Sequence, residues 1–335
     1  MDLWKTVLKA DPIPWLLEDD NPGVKHMTLT AILDRPESDP EVRKARAEIM
    51  RKGLVPKILA KQEAGGNWEE PERFYTAKYK GTSWQLIILA ELGADGAHRR
   101  VRKACEFVLS VSQDRESGGF SFRTGVKKAG GLPGGVIPCL TGNMVWSLIR
   151  LGFGDDPRVA MGIDWIVRNQ RFDDGIAKPP QGPYYASWPQ CFGKHSCHMG
   201  VVKALKALSA IPPAKRSAAV GQTIEKGVEY LLLHHIFKKS HDLDAVSRPG
   251  WLKPWFPRMY QTDILEILGI LTGLGCRDPR MAEALDILIS KQGPEGKWKL
   301  ESTFNGRYQV NIERKGAPSK WVTAHALAVL KGFAG

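Results

Sequence analysis

The stretch LIILAELG, Leu86 to Gly93, decides the fold, because nearly the same phrase returns four more times. It recurs as WSLIRLG from Trp146 to Gly152 and as VVKALKALS from Val201 to Ser209. LEILGILTGLG (Leu265 to Gly275) and TAHALAVLKG (Thr323 to Gly332) complete the set. Aligned on Leu89, Leu148, Leu205, Leu271 and Leu327, the phrases stand 59, 57, 66 and 56 residues apart. Self-similarity at such a period marks a chain built from stacked supersecondary units.

A second set of helices lies between these phrases. VRKACEFVLSVSQ, PRVAMGIDWIVRNQ, IEKGVEYLLLHH and PRMAEALDILISKQ space their apolar residues by three and four, the period of an amphipathic helix. Asp156-Pro157 and Asp278-Pro279 place a capping carboxylate directly before a proline, an efficient helix start. The first set is apolar nearly all round and belongs between other helices, whereas the second has one apolar face and belongs outside. The pattern predicts an all-α protein of inner and outer helices. About five helical-hairpin repeats span residues 45–335, preceded by an arm and leading helices, residues 1–44, that pack on them. Closure into an α/α toroid with a central cavity is the expectation; an open solenoid has the same local pattern.

Several outer segments run into a glutamine, a polar turn and a bulky residue: Gln62 to Trp68, Gln113 to Phe120, Gln170 to Ile176 and Gln292 to Trp298. The glycines suit tight turns, the glutamine can bond backbone groups at a helix end, and the bulky residue can plug a seam.

Composition narrows the function classes. With 48 Lys and Arg against 36 Asp and Glu, the chain carries +12 and attracts anions of any kind. The basic residues are scattered, with no arm, stripe or reading motif for nucleic acid, so no nucleic-acid role is expected. No apolar run reaches about 18 residues, which leaves peripheral rather than spanning membrane contact. The opening MDLWKTVLKADPIPWLLEDD lacks the basic start and cleavage site of a signal peptide. Five cysteines, an odd and small number, argue against a disulfide framework and for a reducing, cytoplasmic setting.

Three of those cysteines form the strongest chemical signal. Cys139 lies nine residues before Leu148, Cys197 eight before Leu205, and Asp263 eight before Leu271, so all three belong at one end of successive inner helices. Cys191 and His195 sit on the loop entering the second of these helices, and His198 follows Cys197. Thiolates with an imidazole suit tetrahedral Zn²⁺, which makes Cys139, Cys191, Cys197 and His195 candidate metal ligands. The same cysteines also suit plain burial as small apolar residues. Tyr184, Tyr185, Trp188, Trp251, Trp255, Tyr260 and Trp321 are candidate aromatic walls of a cavity, and Lys194 and Arg258 candidate partners for anionic oxygens.

The repeated phrases and the Gln…Gly-x-Trp turns resemble the α/α-toroid superfamily, which includes the terpenoid (squalene-type) cyclases and the β subunits of protein prenyltransferases. The resemblance covers residues 45–333 and implies a deep, aromatic-lined cavity for an isoprenoid or other long apolar substrate. It also implies zinc held near the barrel end by an aspartate, a cysteine and a histidine, and it leaves room for a helical partner subunit. The cyclases' Asp-x-Asp-Asp acid is missing: Asp173-Asp174 belongs to a turn, and Ala245 follows the His241–Asp244 stretch. Asp263, whose burial would raise its pKa, and His198 are then the candidate catalytic residues. The competing reading is a non-catalytic toroid that binds a lipid or a protein, with a structural cysteine cluster.

Overall fold

The computed structural model describes residues 3–125, 130–178, 181–182, 185 and 187–335. After a helical turn at Ile13–Leu16, the chain forms α1 (Pro22–Met27), extended by a wide turn over Thr28–Ile32, then α2 (Pro40–Ile49) and α3 (Leu54–Ala60). There follow α4 (Thr82–Glu91), α5 (Arg99–Val111), α6 (Pro138–Leu148) and α7 (Pro157–Asn169). The last third carries α8 (His198–Ser209), α9 (Ala218–Leu233), α10 (Ile264–Gly273), α11 (Ala282–Ser290) and α12 (Lys320–Ala334). The protein is all-α, with packed helices in a toroid-like repeat arrangement. Among the described residues the only paired strands are a short hairpin, Lys238–Lys239 with Asp242–Val246. No helix there is long and apolar enough to cross a membrane.

The inner and outer sets separate as their composition requires. Every residue of α4 from Thr82 to Ala90 is buried, and so is α8 from Gly200 to Leu208. In α5 only Val101, Ala104, Cys105, Val108 and Leu109 are buried, one stripe against the inner ring. Asp156 and Asp278 cap their helices through the amides of Arg158 and Arg280. Each of those arginines then reaches the preceding outer helix, at Glu106 and Glu229 (2.8 Å each). Inner helices come closest at Gly142 of α6, where a Cβ would lie 2.4 Å from the Lys203 carbonyl carbon of α8.

The glutamine turns lock successive units together. Gln62 Nε2 bonds the carbonyl oxygens of Gly66 and Arg100 (2.9 Å each), and Gln113 Nε2 those of Gly118 (3.0 Å) and Arg158 (2.6 Å). Trp68, Phe120 and Trp298 fill the seams and are fully buried. Their amides donate to Thr82, Thr141 and Thr323 at the starts of α4, α6 and α12. The fourth turn departs from this scheme. Among the described residues Gln170 Nε2 reaches only the neighbouring Arg171 carbonyl (2.6 Å), and Ile176 stays half-buried.

Sequence periodicity gives five inner helices; among the described residues a sixth lines the interior. It is α1 with its wide turn, whose Gly23 lies against Trp321 of α12 and Leu92 beyond α4. The chain ends are tied at this seam. Lys320 pairs with Glu18 (2.8 Å) and Asp20, and Lys331 Nζ bonds the Ile32 carbonyl (2.9 Å). Gln292 Oε1 accepts from the Lys9 amide (2.6 Å), so the N-terminal arm stands where a next outer helix would.

Candidate functional site

The two ends of the ring differ because their connections differ. Links from inner to outer helices are short, such as 92–98 and 210–217, whereas links from outer to inner are long, such as 112–137 and 234–263. The described residues of the long links pack at the N-terminal ends of the inner helices, as the Trp255 amide on the Asp263 cap of α10 (2.6 Å) does. The cavity opens at the opposite end, toward the C-termini of the inner helices. It encloses about 640 Å³, with Ala31, Glu91, Arg150, Ser209, Gly273 and Gly332 on its walls toward the helix C-termini.

Of the site residues read from the sequence, Arg258 and Trp321 line this cavity. Arg258 is 5% exposed, and its Nε and Nη2 have no hydrogen-bond partner among the described residues. The Asp263 carboxylate lies 3.9 Å from Arg258 Nε, too far for a hydrogen bond. Trp321 Nε1 and His325 Nε2, also on the cavity wall, are likewise buried without a partner. Burial holds His325 well below the usual imidazole range, so it is neutral.

Beside these donors lies a buried ion network. Glu266 receives Lys203 Nζ at 2.5 Å and Lys206 Nζ at 3.1 Å, and Lys206 also reaches Glu91 at 2.6 Å. Lys206 Nζ stands 3.8 Å above the ring of Trp146, a close cation–π contact. Burial would raise Glu266, but Lys203 and Lys206 overcome it and bring the acid down to about 2. Burial lowers Lys203 to about 8 against the pull of Glu266. None of these four residues was singled out from the sequence. The available signal was their charge: Glu91, Lys203, Lys206 and Glu266 interrupt inner-helix phrases that are otherwise apolar all round.

The opposite end holds the remaining candidates. Cys139 lies in the first turn of α6, Cys197 stands directly before α8 without a side-chain capping bond, and Asp263 caps α10. The neighbouring Cys191 side chain, with the Gly200 and Met199 amides at the helix start, brings Cys197 down to about 6, while Cys197 and burial raise Cys191. Cys139 is near enough to interact with both and is pushed up to about 12 by burial and by Cys197. The three thiols are near enough to influence one another, whereas the imidazoles turn elsewhere. His195 Nδ1 faces Asp174 (3.3 Å), and the ring of His198 packs against Trp251 (4.4 Å) and His234 (5.0 Å). Asp263 is committed to the amides of Trp255 (2.6 Å) and Glu266 (2.7 Å), and burial raises it to about 6. Among the described residues no three His, Cys, Asp or Glu side chains are placed to hold a metal ion.

Apart from Trp321, the described aromatic candidates lie at this end and do not line the cavity. Tyr260 joins Tyr79 and Trp84, and Lys78 Nζ sits 4.7 Å from the Tyr260 ring and 5.1 Å from that of Tyr75. Trp255 packs on Phe304, Trp188 on Phe122 and Tyr185 on Phe192. Lys194 is exposed, and Tyr184 lies outside the described residues.

No family model and no curated protein matches the chain. Two solved structures are similar over most of its length. One is a protein from Actinoplanes, 15% identical over 95% of both chains with a TM-score of 0.44. The other is an unsaturated glucuronyl hydrolase specific for heparin, 10% identical over 94% of this chain and 86% of that one, with a TM-score of 0.48. At these values neither bears on activity or substrate.

Proposed function

We propose that the central cavity binds an anionic amphiphile of the isoprenoid diphosphate class and ionises it. The observation that carries this reading is a set of buried polar atoms without hydrogen-bond partners among the described residues, Arg258 Nε and Nη2, Trp321 Nε1 and His325 Nε2, all on residues that line the cavity. Unsatisfied buried donors are costly, by about 1–3 kcal/mol each, and a ligand rich in acceptor oxygens would relieve them. A guanidinium suits phosphate oxygens in a two-point contact. Met27, Leu92, Ile270 and Val329 supply apolar wall for a short hydrocarbon chain. The same groups would stabilise a departing diphosphate, and the ring of Trp321 the allylic cation left behind. This narrows the sequence-based reading, since the aromatic candidates at the loop end take no part.

Calorimetric titration with farnesyl diphosphate, inorganic diphosphate, farnesol and a uronate-bearing disaccharide tests the proposal. Farnesyl diphosphate should bind most tightly, and Arg258→Met should weaken it about 10- to 100-fold, the loss of one or two charged hydrogen bonds. Tightest binding of the disaccharide, or equal binding by wild type and Arg258→Met, would overturn it. Binding without release of inorganic diphosphate would favour the non-catalytic, lipid-binding alternative.

A further inference from the structure

A second hollow lies beside the central cavity, at the seam where the chain ends meet. It encloses about 400 Å³ and shares Gly23, Ile49, Leu92 and Trp321 with the central cavity of about 640 Å³. These residues border both spaces and so form a partition between them. The partition is tightest at Gly23 of α1, where a Cβ would lie 2.9 Å from Trp321 Cη2 and 3.0 Å from the Leu92 carbonyl oxygen. Trp321 is itself stacked on Phe256, with ring centroids 4.6 Å apart.

The two spaces differ in what they ask of a ligand. Arg258 and His325 carry unpartnered polar atoms on the central wall, whereas Lys320, Glu313 and Lys52 on the wall of the second hollow are already met. Lys320 pairs with Glu18 (2.8 Å) and Asp20, and Lys52 with Glu48 (3.0 Å). Glu313 accepts from the Lys320 amide (2.8 Å) and from Ser319. Pro22, Leu54, Val55, Ile312 and Pro318 give the second hollow apolar wall.

We propose that the partition is a length gauge for the ligand's hydrocarbon, with Ile49 and Leu92 as the specificity-determining side chains. This rests on the reading of the central cavity as an isoprenoid diphosphate site. With the diphosphate at Arg258, the chain runs along the apolar wall to Leu92 and stops at the partition. A further isoprene unit has no room there until the partition is thinned. The second hollow then takes the added unit, because its apolar wall offers burial and its charges already have partners.

The test is calorimetric titration of the full chain with farnesyl and geranylgeranyl diphosphates, read as the ratio of their dissociation constants. Wild type should bind the farnesyl compound about tenfold or more tightly than the longer one, the worth of an apolar unit left unburied. Ile49→Ala joins the two spaces and should bring the affinities together. The milder Ile49→Val should move the ratio part of the way, and thermal melts check that both variants fold. Adding Leu54→Trp, which fills only the second hollow, should return the Ile49→Ala ratio to the wild-type value. Equal wild-type affinity for the two lengths, or a ratio that Ile49→Ala leaves unmoved, would overturn the gauge and leave the diphosphate reading standing. A wild type that binds neither compound more tightly than inorganic diphosphate would overturn both.

Discussion

Replacing Glu266 by Gln probes the ring interior most sharply. The Glu266 side chain is 2% exposed and answers two ammonium groups, one of which, Lys203, is fully buried. Glutamine keeps the shape but leaves Lys203 and Lys206 with Glu91 as their remaining carboxylate. Breaking a buried pair from one side costs about 3–5 kcal/mol. The acid's own shift gives a second measure. Its pKa falls from 4.5 to about 2, a stabilisation at neutral pH on the order of 3 kcal/mol. Because the folded-state pKa is depressed, that stability is present above pH 4.5 and is lost as pH falls toward 2. Urea unfolding at neutral pH should therefore show Glu266→Gln less stable by about 3–5 kcal/mol. The gap between variant and wild type should close as both are taken from pH 4.5 toward 2, where the unfolded-state acid protonates first and the native acid last. A loss under about 1 kcal/mol at neutral pH, or a gap that does not close in acid, would refute the argument.

Other perturbations address packing and closure. Gly142→Ala would drive a Cβ to within 2.4 to 2.7 Å of backbone atoms at Lys203 and Ala204, which cannot rotate away. Its cost should be about 1–3 kcal/mol in thermal or urea unfolding. Lys320→Ala removes the partners of Glu18 and Asp20; because those carboxylates are mostly exposed, the loss should stay near 1 kcal/mol. Its clearer sign should be faster hydrogen exchange confined to residues 13–32, measured by mass spectrometry. Trp298→Phe leaves the Leu288 carbonyl without the indole donor that now meets it at 2.7 Å, and should cost about 1–3 kcal/mol.

Much of the ring was legible in the sequence, and the parts that were not have physical causes. All-round apolar character separated α4 and α10 from the one-faced α5, because burial on every side leaves no polar stripe. The Asp-Pro starts at Asp156 and Asp278 were visible because capping is a local interaction. The sixth inner helix was hidden: its TLTAI stretch lacks the leucine phrase and winds as a wide turn. The open end could not be foreseen, since it depends on how long loops lie across helix starts. The placing of Cys139 in the first turn of α6 and of Cys197 before α8 could be read by aligning the repeats. The turning of His195 to Asp174 and of His198 to Trp251 could not, because both contacts join side chains through tertiary packing.

The central claim is that the cavity, and not the cysteine end, receives an anionic amphiphile. A crystal structure of the full chain with farnesyl thiodiphosphate tests it most directly. The account predicts phosphate oxygens within about 3 Å of the Arg258 guanidinium and Trp321 Nε1, with the hydrocarbon along Leu92 and Ile270. An empty cavity with the analogue lodged among Tyr79, Tyr260 and the cysteines would contradict it.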